Sequence, residues 1–148
     1  MNSDSSTDSQ AIIDVTVRYC WALDDQRWEA LTEVFLTEAT ADLGTGILSG
    51  VGAIIERVSS ALTPLDDSQH MVTNHQISVD GDTATCRCYL QAQHVRSVEG
   101  GSNYLVGGRY EDRLVRTEEG WRIAHRDLVR MWSEGNPEVV RRGCPPNP

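Results

Sequence analysis

The apolar residues of this chain change their period once, near residue 69, from that of an α-helix to that of a β-strand. This single switch sets the fold class, because helical and extended segments are grouped along the chain rather than alternating. After the switch, strands are expected at 69–79, 83–97, 103–116 and 121–132. Asp80-Gly81-Asp82 carries a hairpin signal between the first two. Glu118-Glu119-Gly120 joins the last two, and Glu99 to Ser102 reads as a looser loop. Before the switch, Ser9 is positioned to cap a helix running to about Asp24, with Ile12, Val15, Tyr19 and Leu23 as its apolar stripe. Asp25 is expected to cap a second, shorter helix that buries Trp28, Leu31 and Phe35. Gly44 and Gly46 break Thr40 to Ser49 into a hairpin or an interrupted strand. A third helix is expected from Gly50 to Leu62, and Pro64 stops it.

The result is an α+β expectation: one curved, mostly antiparallel sheet wrapped around N-terminal helices, with a pocket between the layers. Gly107-Gly108 inside a strand marks a bend or a close backbone approach. Residues 1–8, polar and rich in Ser and Asp, read as a disordered tail, 9–137 as the domain and 138–148 as a C-terminal tail.

At 148 residues the chain fits one domain that needs neither disulfide nor metal to fold. Its 22 acidic against 13 basic side chains, a formal charge of -9, oppose a phosphate backbone, so no nucleic-acid partner is expected. No apolar run approaches a membrane span, so no membrane partner is expected either. The N-terminus lacks the basic start and apolar stretch of a signal peptide, which leads to the expectation of a reduced, cytoplasmic protein. Cys20, Cys86, Cys88 and Cys144 fall in no C-x-x-C spacing and read as small buried thiols. The chain has no phosphate loop, nucleophile elbow, zinc-protease motif or dinucleotide fingerprint, so no cofactor is expected.

Four polar residues in structured elements are left as candidates for chemistry: Tyr19, Asp24, His70 and His94. Asp24 ends the first helix, where the helix dipole disfavours a carboxylate; a solvated turn residue before the Asp25 cap and a functional carboxylate are equally open readings. His70 opens the first long strand. Strand alternation puts it on one face with Val72 and Asn74 and puts His75 on the other, which argues against a two-histidine metal clamp. His94 shares the apolar, inward strand face of Cys86, Cys88, Leu90 and Ala92, at either the pocket or the edge of the core. Tyr19 lies on the apolar helix stripe, where a tyrosine is usually core.

Several motifs occur together: Arg18-Tyr-Cys-Trp-Ala-Leu-Asp-Asp25 with Trp28-Glu-Ala-Leu31, Gln69-His-Met-Val-Thr-Asn74, Gly107-Gly-Arg-Tyr-Glu-Asp112, Gly120-Trp-Arg-Ile123 and Trp132-Ser-Glu-Gly-Asn-Pro137. As a set, from about residue 9 to 137, they resemble a SnoaL-like, polyketide-cyclase-type domain of the nuclear-transport-factor-2-like superfamily. The subgroup is similar to scytalone dehydratase, bile acid 7α-dehydratase and hexachlorocyclohexane dehydrochlorinase. The resemblance implies a cone-shaped α+β barrel. It further implies a catalytic Asp at the end of the first helix, matched by Asp24, and a catalytic His at the start of the first long strand, matched by His70. Tyr19 matches a functional tyrosine of the bile acid enzyme, and His94 falls near a second histidine of scytalone dehydratase. Trp132 is a candidate for lining the pocket. The implied activity is that of a cofactor-independent lyase, of dehydratase or dehydrohalogenase type. It would use a His-Asp dyad on a small apolar, ring-bearing or aromatic substrate. Alternatives are a polyketide or steroid cyclase or isomerase with the same dyad, or a non-catalytic ligand-binding or dimerisation module. An open sheet face leads to the expectation of a homo-oligomer, a dimer or trimer.

Overall fold

The computed structural model describes residues 2–141. Helix α1 spans Asn2–Asp24, strands β1 and β2 span Phe35–Asp42 and Ile47–Ser49, and helix α2 spans Val51–Leu62. Four long strands follow: β3 (Asp67–Asp80), β4 (Thr83–Val95), β5 (Asn103–Thr117) and β6 (Gly120–Gly135). They form one six-stranded sheet in the order β2-β1-β6-β5-β4-β3. Every neighbouring pair is antiparallel except β1 with β6. The sheet is curved, with the helices packed on one face, and the period switch at residue 69 marks where the four-strand meander begins.

Three expectations are corrected. First, α1 begins at Asn2 rather than after Ser9, so residues 2–8 are helical and not a disordered tail. Asp8 holds this extra length against the sheet. Its carboxylate accepts two bonds from Arg116, at 2.7 and 2.9 Å, and one from Trp121 Nε1 at 3.2 Å. Second, the segment after Asp24 makes only a 3-10 turn, Trp28–Glu33, with no side-chain cap from Asp25. Phe35 does not lie on a helix; it opens β1 opposite Ile123. The amide of Ile123 donates to the carbonyl of Val34 at 2.8 Å. That pairing satisfies backbone groups that a longer helix would need for itself. Third, the chain after 137 does not leave the domain at once. Pro137–Val140 forms a 3-10 turn capped by Asn136, and Val139 is fully buried. Residues 142–148 of the expected C-terminal tail lie outside the described residues.

Irregularities in the ladder decide which side chains face inward. In β3 the register shifts between Thr73 and Gln76, with Asn74 at φ 59° in the left-handed region. This bulge reverses the alternation, so Asn74 is exposed and His75 turns to the side of His70 and Val72. The reason given above against a histidine pair on this strand therefore fails. β6 carries two further extra residues, Ala124 opposite the Arg113–Leu114 step and Met131 opposite the Gly107–Gly108 step. The second reverses the strand just before Trp132. Trp132 consequently stands on the outer face, 43% exposed, instead of lining the pocket. Gly108 meets the expectation of a close approach: a Cβ there would lie 2.5 Å from the carbonyl oxygen of Val129.

Candidate active site

Helix α1 crosses the open end of the curved sheet, so its C-terminal residue meets the beginning of β3, the edge strand. Asp24 Oδ1 lies 2.7 Å from His70 Nδ1 and accepts from the Ser68 hydroxyl at 3.0 Å. Its Oδ2 accepts the backbone N–H of His70 at 2.8 Å. These donors offset the unfavourable position of a carboxylate at a helix C-terminus. The His70 side chain is 6% exposed and that of Asp24 15%. Because Asp24 is an acceptor here, the imidazole proton sits on Nδ1 and Nε2 carries a free lone pair. Ser68 was not singled out in the sequence; its signal was its place two residues before His70, on the same strand face.

His94 is buried on the inward face of β4, and its ring meets that of His70 edge-on at 5.9 Å. Its Nδ1 lies 3.0 Å from the carbonyl oxygen of Tyr104, which only accepts, so this nitrogen also carries the proton. Burial holds the imidazole below its usual pKa despite that bond, and the nearby His70 and Arg130 act in the same direction. His94 is therefore a neutral ring with its own free Nε2. His75 has a different task. Thr16 donates its hydroxyl proton to Ile13, so His75 Nε2 donates to Thr16 Oγ1, at 2.8 Å, and ties α1 to β3.

Tyr19 is buried on α1, with its ring edge-on to Phe35 and Tyr110 at 5.8 and 5.7 Å. Between the two tyrosines and the sheet lies a buried cation. The Arg126 guanidinium packs over the ring of Tyr19 at 4.4 Å and that of Tyr110 at 3.8 Å. It donates to both carboxylate oxygens of Asp112 at 2.8 Å. Burial opposes the charge on Arg126, but Asp112 outweighs it and keeps the guanidinium protonated. Burial also raises the pKa of Tyr19 against the pull of Arg126, and raises that of Tyr110 further. Both phenols are thus proton donors at neutral pH. Tyr110, Asp112 and Arg126 were not identified as functional residues in the sequence. Alternation along β5 does place Tyr110 and Asp112 inward, whereas Arg126 faces inward only because of the bulge at Ala124.

Tyr19, Tyr110, His70 and His94 line one cavity of about 110 Å³ between α1, α2 and the sheet. Leu90, Ala92, Val106 and Leu128 supply an apolar wall, and Arg57 and Arg130 also border it. Trp132 instead borders a groove on the opposite side of the sheet with Met71, Tyr89 and Met131. The thiols of Cys20 and Cys86 are pushed up to about 12, and that of Cys88 to about 11, chiefly by burial. They are inert packing groups near neutral pH. Cys144 lies outside the described residues. Among the described residues no group of three or more His, Cys, Asp or Glu side chains could hold a metal ion, and no helix is long and apolar enough to cross a membrane.

This fold, a curved sheet closed by helices over a small cavity, is shared with a nuclear-transport-factor-2-like superfamily protein from Salmonella enterica serovar Typhimurium, 21% identical with a TM-score of 0.79 over 90% of this chain and 98% of its own. The chain belongs to the SnoaL-like domain family, whose model matches residues 4–127. An uncharacterised Mycobacterium tuberculosis protein, Rv2910c, is 33% identical over 123 residues, covering 81% of this chain and 83% of its own length. A Novosphingobium aromaticivorans structure provisionally described as an aromatic ring hydroxylase is 28% identical. It has a TM-score of 0.81 and covers 91% of this chain and 97% of its own. A second structure from that organism, provisionally described as a scytalone dehydratase, is 20% identical. Its TM-score is 0.83, covering 99% and 97% of the two chains. A type 2 hexachlorocyclohexane dehydrochlorinase, LinA, shares the fold at 17% identity and a TM-score of 0.81, covering 92% and 93%.

Proposed function

We propose that this protein is a cofactor-independent lyase in which His70 removes a proton from carbon. The observation that carries the reading is the 2.7 Å contact from Asp24 to His70 Nδ1, which leaves Nε2 as the free base beside the cavity. Asp24 fixes the tautomer and stabilises the imidazolium as it forms, as an orienting carboxylate does for a catalytic histidine. A substrate held against Tyr19 and Tyr110 meets phenolic donors where negative charge develops on oxygen. In a dehydration, the proton taken by His70 returns to the departing hydroxyl as water. In a dehydrohalogenation the halide leaves unprotonated and the proton passes to solvent. The names of the two lyase-type neighbours support this class, and the apolar wall suits a small ring-bearing substrate. A cyclase or isomerase would use the same dyad, with the proton taken by His70 returned to another atom of the same molecule.

The test is a panel of small cyclic β-hydroxy ketones and halides incubated with wild type and with His70→Ala. Mass spectrometry separates the classes: elimination loses water or hydrogen halide, whereas isomerisation keeps the mass. Running the panel in D2O reports proton abstraction without net turnover, as deuterium incorporated at carbon. Equal incorporation or product formation by the two proteins would show that His70 is not the base.

A further inference from the structure

The cavity borders are cationic in a strongly anionic protein. Against a formal charge of -9, the residues lining it include no Asp or Glu, but do include Arg57 from α2 and Arg130 from β6. Arg109, Arg116, Arg122, Arg126 and Arg141 each sit against a carboxylate. Arg130, like Arg18, Arg27, Arg96 and Arg113, makes no side-chain hydrogen bond or ion pair among the described residues; unlike those four it borders this cavity, near enough to His94 to disfavour protonation of that ring. Across the cavity Arg57 is steadied by Thr45, whose hydroxyl oxygen accepts from Nε at 3.3 Å.

Size separates a deep end from a shallow one. A single benzene ring occupies a cavity of about 150 Å³. The space of about 110 Å³ here is smaller, so a ring-bearing substrate leaves part of itself outside. The inner surroundings, His70, His94 and the two tyrosines, serve the reacting carbon and its oxygen. The exposed Arg130 is left for whatever the substrate carries outward. A planar guanidinium with free parallel N–H donors matches a carboxylate in two-point geometry.

We infer that the substrate is an acid: a small cyclic carboxylate whose anionic group pairs with Arg130, with Arg57 on the facing wall, while its reacting carbon points inward to His70. This assignment of substrate class rests on the proposed proton abstraction, but the binding it requires does not. A carboxylate held in this way places its charge near the imidazole and favours the imidazolium formed during the reaction.

The test is therefore one of binding. Benzoate and cyclohexanecarboxylate, each with its primary amide, are titrated into the full chain by calorimetry at low salt, with the imidazole resonances of His70 and His94 followed by NMR. Carboxylates are expected to bind about 10- to 100-fold more tightly than their amides, the range of a charge-assisted hydrogen-bonded pair. Arg130→Gln is expected to remove that preference and Arg130→Lys to keep part of it. Arg130 is exposed, so both variants should melt near wild type. His70→Ala is expected to keep the preference, which separates this inference from the catalytic one. Equal affinity for acid and amide, no binding of either at millimolar concentration, or an unchanged preference in Arg130→Gln overturns it. So does tighter binding of inorganic phosphate than of benzoate, which would point to a phosphate ester. Once turnover is measured, loss of Arg130 should raise KM more than it lowers kcat. The reverse pattern would make Arg130 a group that assists departure of the leaving group.

Discussion

Replacing Asp24 by Asn is the sharpest perturbation of the site, because the hydrogen bonds around the carboxylate dictate how the amide must sit. In the wild type, both carboxylate oxygens accept from His70, one from Nδ1 and the other from the backbone N–H. An Asn has a single oxygen. If that oxygen faces Nδ1–H, the amide nitrogen is driven against the backbone N–H, donor against donor, and a part-buried amide is left unpaired at a cost of about 1–3 kcal/mol. If it faces the backbone N–H instead, the amide nitrogen donates to Nδ1, and the ring must shift its proton to Nε2. Only the second arrangement satisfies every group, so it should dominate by roughly ten- to a hundredfold, the Boltzmann equivalent of that cost. The base is then protonated on the atom that should accept. Turnover should fall by about 10²–10⁴, the contribution of a positioned general base, with a modest loss of stability. Nitrogen-15 NMR of the imidazole reads the tautomer without any substrate, and kinetics on the substrate found by the panel reads the rest. The reasoning is refuted if Asp24→Asn keeps the proton on Nδ1, or if the proton moves to Nε2 while turnover stays at the wild-type level.

Other outcomes follow from the same geometry. Asp112→Asn should cost about 3–5 kcal/mol in chemical denaturation, because it leaves the guanidinium of Arg126 buried and unpaired; a smaller loss would mean that water reaches Arg126 Nη1, which has no hydrogen-bond partner among the described residues. Gly108→Ala should lower the melting temperature, since a Cβ there meets the backbone oxygen of Val129 and overpacking of this kind costs about 1–3 kcal/mol. Trp132→Ala, on the outer face, should leave turnover within about twofold of wild type, as surface changes remote from a site usually do; a large loss would return that residue to the cavity. His75 and His94 have folded-state pKa values depressed by burial, so the unfolded chain takes up their protons first as pH falls below about 6.5. Stability should therefore decline below that pH until the folded-state values are passed, and His75→Gln should reduce the decline in a thermal-melt series.

The residues most important to the proposed chemistry were legible in the sequence for a local reason. Apolar periodicity puts Asp24 at the end of a helix and His70 at the start of a strand, and their pairing was read from the resemblance that the surrounding motifs carry. The inward face of β4, with His94 at its end, is likewise a matter of alternation within one uninterrupted strand. Where the sequence misled, the missing information lay in another strand. Phe35 reads as the last buried residue of a helix, but the partner it pairs with, Ile123, lies 88 positions along the chain. The polar start of α1 has no reason of its own to be ordered, and it is held by Arg116 and Trp121 from the far end of the sheet. Three one-residue bulges, at Asn74, Ala124 and Met131, reverse the faces of the residues beyond them. They turn His75 and Arg126 inward and Trp132 out. A bulge leaves little trace in hydropathy, because it is set by the register of two strands against each other, and a shift of one residue exchanges every face beyond it. From the sequence alone came the helices-then-sheet order and the candidate pair Asp24 and His70. Only the tertiary structure brought that pair to 2.7 Å, set Tyr19 and Tyr110 over the guanidinium of Arg126, and placed Arg130 beside the cavity, because each of these contacts depends on strand registers that no local window of residues encodes.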